Sequence, residues 1–437
     1  MKGLLIIMKK LDIRGELQTR KYKTTNRFYY WIYRTVMKIV GRKYHPHYTK
    51  IDDINDYKGP AFVIFNHLSR IDHMYVMEIC YPRRINILAG YCEFFRSHLH
   101  QVFKMNNILP KKQYTNDILS TKAIISIIRQ GGVVAFAPEG LATNDGTPKP
   151  IVPHTGHLFK KYKVPVYFVE LRGQYLQNTK VCLDERYGET YATIKLLFSP
   201  DDLDKLSVDE IDDKINDAFR HDEYEWQKEK HIKWDMRGRP CHKLHELLYR
   251  CPKCGKEFTM VAHDDVIKCE SCGNGATVDD YYAFHPFPDS IIPDTPSKWV
   301  NEERIQIIKD IRNDSNYKFV EKVKIGVLPN DHYLTDKKTS EIDSEGIMTI
   351  DHSGVHYECS TDPSKNFDLD YNTIYTVITE VDSSYFDFFV NGEYVDVFPE
   401  RPAAIKMSML IEEMHRLHVN FYKNFKWNSY MYEGFEK

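Results

Sequence analysis

Ala61-Phe-Val-Ile-Phe65-Asn66-His67-Leu68-Ser69-Arg70-Ile71-Asp72 joins an uninterrupted apolar run to a polar one. No residue among the first five is polar, so a strand there would bury both of its faces, as strands do in a sheet covered on two sides. Short apolar runs of the same kind recur at 85–88, 133–137, 164–171 and 194–198, each ended by a polar or glycine-rich turn. Between two of them, residues 117–129 place Ile118, Ile124, Ile125 and Ile128 at helical spacing. Strands that alternate with helices predict an α/β domain with a central, mostly parallel or mixed sheet flanked by helices. Downstream, Ser207-Val-Asp-Glu210 is a capping box for a helix carrying Ile211, Ile215 and Phe219, which closes this region near residue 230.

The C-terminal ends of strands in such sheets are where ligand and catalytic groups gather, and that is the place of the polar heptapeptide. On one continuous helix a five-residue offset would set His67 and Asp72 about 140° apart. A histidine still in the turn and an aspartate in the first helical turn can instead converge. The carboxylate would then accept one imidazole N–H, fix the tautomer and leave the other nitrogen as a general base. The same residues also fit a purely structural role: Ser69-x-x-Asp72 is a capping-box pattern, and Asn66 or Ser69 could simply cap the helix.

Past the run at 133–137 stand Pro138-Glu139-Gly140, then Gly156, then Val164-Pro165-Val166. Together with His67-x4-Asp72, in this order and at these separations, the set resembles the glycerophospholipid acyltransferases of the 1-acylglycerol-3-phosphate acyltransferase type, over about residues 25 to 230. The resemblance implies transfer of an acyl chain from a thioester, acyl-CoA or acyl-carrier protein, to a lysophospholipid or related lipid hydroxyl. His67 would be the general base, oriented by Asp72. Asn66, Ser69, Lys111, Lys112, Glu139 and Gly140 would contribute to substrate binding, the last two as part of the block associated with the acceptor. No acyl-enzyme is required, so Cys80, Cys92 and Cys182 read as small buried hydrophobes. Two departures stand out. Pro138-Glu139-Gly140 continues with Leu141-Ala142-Thr143 where the family usually has Thr-Arg-Ser, and the family's Ile-Pro-Val-Asp-Arg block is Leu109-Pro110-Lys111-Lys112-Gln113. Lys111 and Lys112 are then the cations nearest that missing arginine, and lysine offers a point charge where arginine grips phosphate with two parallel bonds.

At 437 residues the chain is long enough for about three domains. Its apolar and charged fractions, 42% and 28%, fit folded domains with real cores. No apolar run approaches the roughly 18–20 residues needed to cross a bilayer, and residues 4–8 are too short for a signal peptide's apolar region. A net charge of −2 gives no reason to expect a nucleic-acid partner. The charge is polarised, however: residues 1–50 carry 13 Lys and Arg against Asp12 and Glu16, a local +11, and the remainder sums to −13. Within that leader, residues 28–40 interleave Phe28, Trp31, Ile32, Val36 and Ile39 with Arg34 and Lys38, and Arg27 precedes them. A basic amphipathic helix of this kind suits an anionic membrane surface. The expectation is a cytoplasmic protein, peripheral on the inner face of a membrane, with residues 1–50 as docking leader and 51–230 as acyltransferase domain.

Cys251-Pro-Lys-Cys254-Gly255 and Cys269-Glu-Ser-Cys272-Gly273 resemble a zinc ribbon, here spanning 245–282. Four thiolates complete the tetrahedral set that Zn²⁺ favours and leave no open position, so the ion would be structural. Lys253, Lys256 and Lys268 are offset by Glu257, Asp264, Asp265 and Glu270, so the ribbon lacks the basic face of a nucleic-acid module. Residues 298–437 begin with a helix near 301–312. They continue through short apolar runs at 317–328, 347–351, 355–359, 373–381, 385–390 and 394–398 and end in a helix over 402–421. That pattern loosely resembles a pleckstrin-homology-like barrel. The competing reading of the whole chain is a non-catalytic zinc-ribbon adaptor whose acyltransferase-like domain binds lipid or protein partners.

Overall fold

In the computed structural model, which describes residues 11–335 and 338–419, the run Ala61–Phe65 is strand β2 of a seven-stranded sheet. The other strands are β1 (Pro46–Lys50), β3 (Ile85–Gly90), β4 (Leu109–Lys111), β5 (Val133–Phe136), β6 (Val166–Arg172) and β7 (Thr190–Phe198). Their order is β1-β7-β6-β2-β5-β3-β4. β6, β2, β5, β3 and β4 are mutually parallel, and β7 is antiparallel to β6 and pairs with β1 in parallel. The sheet is therefore mostly parallel, and helices cover both faces. Side chains alternate across a strand: Ala61, Val63 and Phe65 pack with Met74, Tyr75, Ile79 and Val169 on one side, and Phe62 and Ile64 pack with Ile124, Ile127, Phe159 and Phe168 on the other. This two-sided burial is why β2 reads as a continuous apolar run.

Parallel neighbours need crossover connections. The helices Asp72–Cys80, Ile118–Arg129 and Gly156–Tyr162 occupy those connections. Asp117 caps the second by accepting the Ser120 N–H, and the Ser207/Glu210 capping box forms in full ahead of the helix Val208–Ala218. Two strands had no apolar run to announce them: β1 is mostly exposed, and β4 is three residues long with a proline at its centre. The helices Ile13–Thr19 and Arg27–Gly41 pack on this lobe, with Ile13, Leu17, Tyr30 and Tyr44 inside its core. Residues 13–44 are thus integral to the lobe, where the sequence suggested a separate leader. The apolar run at 4–8 lies outside the described residues.

The cysteine-rich segment is a four-stranded antiparallel sheet of β8 (Met260–His263), β9 (Val266–Cys269), β10 (Gly275–Val278) and β11 (Phe284–Pro286). Beyond it the helix Pro296–Asn313 starts five residues before the expected 301, because Thr295 caps it and Pro296 takes its first position. Seven antiparallel strands follow: β12 (Lys318–Val327), β13 (Glu341–Asp351), β14 (Gly354–Cys359), β15 (Phe367–Leu369), β16 (Ile378–Thr379), β17 (Phe386–Val390) and β18 (Glu393–Pro399). They lie in the order β15-β14-β13-β12-β18-β17-β16. The edge strands β15 and β16 do not pair with each other, so this sheet is open and not a closed barrel. The expected strand at 373–381 is reduced to two residues. Ahead of those two residues the Thr376 hydroxyl bonds to Glu412, and Thr379, within β16, turns its hydroxyl to Asn144. The helix Ala404–His418 closes the domain, and the expected end of that helix at 420–421 lies outside the described residues. Cys251, Cys269, Met260 and Ile267 share one core with Trp299, Val323, Val397, Leu410 and Met414, so the cysteine segment and the C-terminal sheet form a common body.

Candidate active site and cysteine cluster

At the end of β2 the chain leaves the sheet and each polar residue is held individually. Asn66, buried, exchanges two hydrogen bonds with the backbone of Leu171 on the neighbouring β6, donating at 3.0 Å and accepting at 2.8 Å. It extends the ladder by one side chain. The Asp72 carboxylate accepts the backbone N–H of Leu68 at 2.7 Å and of Ser69 at 3.0 Å, and the Ser69 hydroxyl at 2.8 Å. It also meets His67 Nδ1 at 2.8 Å. An acceptor with this many donors leaves Nδ1 as the protonated nitrogen and Nε2 as the lone-pair nitrogen of the ring. Asp72 is 1% exposed at its side chain and His67 30%, so the ring reaches toward solvent from a buried support. Of the two sequence readings of the heptapeptide, the orienting one is seen and the capping one is not: Ile71 stands at the helix N-cap without a side-chain cap bond, Asn66 is spent on Leu171, and the Ser69 hydroxyl donates to Asp72 and does not cap its N–H. Beside Asp72, His73 is half-buried, with Nε2 2.9 Å from the Tyr33 hydroxyl, and desolvation lowers its pKa to about 4.

The Pro138-Glu139-Gly140 block lies at the end of β5, next to β2. Glu139 is buried, and both carboxyl oxygens are engaged by backbone: Oε2 accepts the His67 N–H at 2.7 Å and Oε1 the Lys149 N–H at 3.0 Å. The His67 carbonyl in turn accepts the Thr143 N–H at 2.9 Å. Gly140 has φ +81°, and a Cβ there would meet the Tyr114 ring at about 3.0 Å, while the Tyr114 hydroxyl donates to the Glu139 carbonyl at 2.7 Å. The catalytic candidates His67 and Asp72 and the binding candidates Asn66, Ser69, Glu139 and Gly140 are thus brought together. Asn66, Ser69 and Glu139 are occupied in shaping the loop.

Lys111 and Lys112 stand apart. They belong to the edge strand β4 and the turn after it, with β5 and β3 intervening before β2. Lys111 lies 3.9 Å from Asp117, and Lys112 donates to the Gly392 carbonyl at 2.8 Å over the rings of Tyr91 and Phe389. Among the described residues no hydrogen bond or ion pair joins either lysine to His67, Asp72 or Glu139. Sequence reasoning missed Tyr114, Thr143 and Lys149. Two of these act through backbone atoms, which leave no signature in residue type; Tyr114 follows the Lys111-Lys112-Gln113 block directly and was the more readable signal.

In the cysteine cluster, Sγ of Cys251, Cys254, Cys269 and Cys272 all lie within 4.8 Å of one another. Cys251 to Cys272 is 3.6 Å and Cys254 to Cys269 is 3.9 Å. The two knuckles share one geometry: Gly255 (φ +73°) donates to the Cys251 carbonyl and Gly273 (φ +75°) to the Cys269 carbonyl, each at 2.9 Å. A second grouping, Cys182, Asp184 and His242, faces the guanidinium groups of Arg186 and Arg239, which disfavour a bound cation there.

Residues 38–171 match the family model described as Acyltransferase. The matched segment runs from near the end of the helix Arg27–Gly41 almost to the end of β6 and contains His67, Asp72, Glu139 and Gly140. No curated protein matches the chain significantly. Among solved structures, the chain is similar to the 1-acyl-sn-glycerophosphate (LPA) acyltransferase PlsC from Thermotoga maritima, with 14% sequence identity and a TM-score of 0.36 over 47% of this chain and 83% of that one. That likeness is too slight to carry an argument. The family match marks the first lobe as an acyltransferase domain over the matched residues.

Burial pushes the Glu139 carboxyl up to about 8, against the two N–H donors that favour its ionised form. The unfolded chain ionises the same group near 4.5. Between those values the folded chain holds a proton that the unfolded chain has lost. The contribution to stability is therefore full below 4.5, declines as pH rises and is lost above about 8. The stability of Glu139→Gln relative to wild type should accordingly climb between about pH 5 and pH 8, read from urea midpoints; a difference that does not vary with pH would contradict this account.

Proposed function

We propose that the chain is a lipid O-acyltransferase that moves an acyl chain from an acyl thioester, acyl-CoA or acyl-carrier protein, to a lysophospholipid or related lipid hydroxyl. The observation that carries the reading is the His67–Asp72 pair, 2.8 Å apart and seated on a buried strand end within the segment matching the acyltransferase family model. His67 Nε2 takes the proton of the acceptor hydroxyl as its oxygen attacks the thioester carbonyl. The tetrahedral intermediate then collapses, the C–S bond breaks, and the imidazolium returns its proton to the leaving thiolate. Asp72 holds the ring and stabilises its charged form. After Pro138-Glu139-Gly140, Leu141 and Thr143 are buried, and Thr143 is committed to Asp145. That motif supplies no arginine for a phosphate, which favours an acceptor gripped by other groups than the family's usual pair of arginines.

The outer face of the helix Arg27–Gly41 supports docking on a bilayer. Phe28, Trp31, Ile32, Val36, Ile39 and Val40 are all exposed, Phe28 at 62% and Ile39 at 60%. The inner face packs through Tyr30, Tyr33 and Met37. Arg34 and Lys38 are both paired with Glu78, and Arg34 also lies 3.7 Å from the Tyr81 ring centroid. Insertion of apolar side chains, and not these two cations, is then the principal attraction, with Arg27 left to meet anionic lipid at the inner face of a membrane. The four cysteines have the donor set and the mutual spacing that fit a tetrathiolate zinc, and Cys251 and Cys269 sit in the core shared with the C-terminal sheet. The ion would hold that core together and take no part in acyl transfer.

Three outcomes are expected. His67→Ala should lower thiol release from an acyl thioester in the presence of lysophospholipid by about 10²–10⁴, while binding to vesicles persists; undiminished release would refute the assignment. Trp31→Ser together with Ile39→Ser should abolish cosedimentation with anionic liposomes, and Arg34→Glu should weaken it far less. Elemental analysis of the purified chain should find one zinc per molecule, lost in Cys254→Ser with Cys272→Ser, and chelation should lower the unfolding temperature; absence of metal in wild type would rule the site out.

A further inference from the structure

The C-terminal domain touches the loop that supports His67, and it does so through buried polar groups. The Glu139 carboxyl, which accepts the His67 N–H, also accepts the backbone N–H of Lys149. The Lys149 side chain crosses to the other domain and pairs with Glu412 of the helix Ala404–His418 at 2.8 Å, with side-chain exposures of 12% and 1%. Glu412 is held in turn by the Thr376 hydroxyl at 2.7 Å and by Arg304 of the helix Pro296–Asn313 at 2.9 Å. Two further ties reach the same loop: Thr379 donates to the Asn144 side chain at 2.8 Å in a buried contact, and Tyr375 meets edge-on, at 5.3 Å, the ring of Tyr114, whose hydroxyl donates to the Glu139 carbonyl. A narrow cleft at this seam is lined by Tyr114, Lys149, Tyr375, Thr376 and Glu412.

We propose that Glu412 and Lys149 are positioning residues for the acyltransferase site: the C-terminal domain sets the 139–149 loop, and through the Glu139 carboxyl it sets the backbone of His67. The physical reason is that an ion pair whose carboxylate is buried has few favourable arrangements, and removing one partner leaves the other poorly compensated. A loop anchored at Lys149 therefore cannot shift without breaking that pair. The C-terminal domain is on this account a working part of the acyltransferase site, not an appended module. The proposal rests on the reading of His67 as the catalytic base, so its test includes a measurement that needs no activity.

The test is hydrogen exchange, followed by mass spectrometry, on the full chain carrying Glu412→Gln and, separately, Lys149→Met, which leaves Glu412 with Arg304 and Thr376. The amides of His67 and Lys149 should exchange at least about 10-fold faster than in wild type, with the helix Ile118–Arg129 unchanged. Unaltered exchange at both amides in Lys149→Met would overturn the proposal, whether or not an activity has been found, and even if Glu412→Gln fails to fold. Where acyl transfer is measurable, kcat should fall about 10–100-fold in Lys149→Met, Lys149→Arg should restore most of it, and the loss should largely vanish in a Glu139→Gln background. Full additivity with Glu139→Gln would also overturn it.

Discussion

Everything about the candidate site depends on how a chain can leave a fully buried strand with its polar backbone satisfied. β2 ends in the interior, and the N–H groups of His67, Leu68 and Ser69 come out of it with no ladder partner. Two buried carboxyls take them up: Glu139 bonds to His67, and Asp72 bonds to Leu68 and Ser69. Leaving any one of these donors unpaired would cost about 1–3 kcal/mol, so the loop has little freedom to take another path. The path it takes points the His67 ring outward with Nδ1 on Asp72. The geometry that suits a general base is thus a by-product of a backbone constraint, and Asp72 serves both ends.

The same carboxyls tie distant parts of the chain into one unit. Glu139 comes from β5 and engages the Lys149 backbone, and Lys149 extends to Glu412 in the C-terminal helix. Asn66 links the end of β2 to β6. On the opposite side, the cysteine knuckles and the C-terminal sheet share a core, so the ribbon-like segment is a wall of the second body and not a free-standing finger. Its lack of a basic face, visible in the residues, fits that placement.

The strands β2, β3, β5 and β6 and the helices around them were legible because burial on both faces forces continuous apolar runs, and because Asp117, Ser207 and Glu210 mark helix starts; β7, buried on alternate residues only, was legible over its second half. β1 and β4 were not legible, since an edge strand with exposed or proline-containing sequence has no such pattern. In the C-terminal region, Thr376 reads as a strand residue by its type, but its hydroxyl is bonded to Glu412 and only Ile378 and Thr379 of that stretch join the sheet. In the site, His67, Asp72, Glu139 and Gly140 could be read from motif and position. Lys111 and Lys112 were read as neighbours of the site from their place in a motif, yet the sheet order sets their strand at the far edge.

By itself the sequence determined the α/β class, the polar heptapeptide at a strand end, the two cysteine knuckles and the apolar face of the helix Arg27–Gly41, because each is a local pattern fixed by periodicity or by short spacing. Only the tertiary structure decided that Glu139 supports backbone, that Arg34 and Lys38 are spent on Glu78, and that Lys149 and Glu412, 263 residues apart, form a part-buried pair. Those are contacts between backbone atoms or between side chains distant in the chain, and neither leaves a mark in residue order.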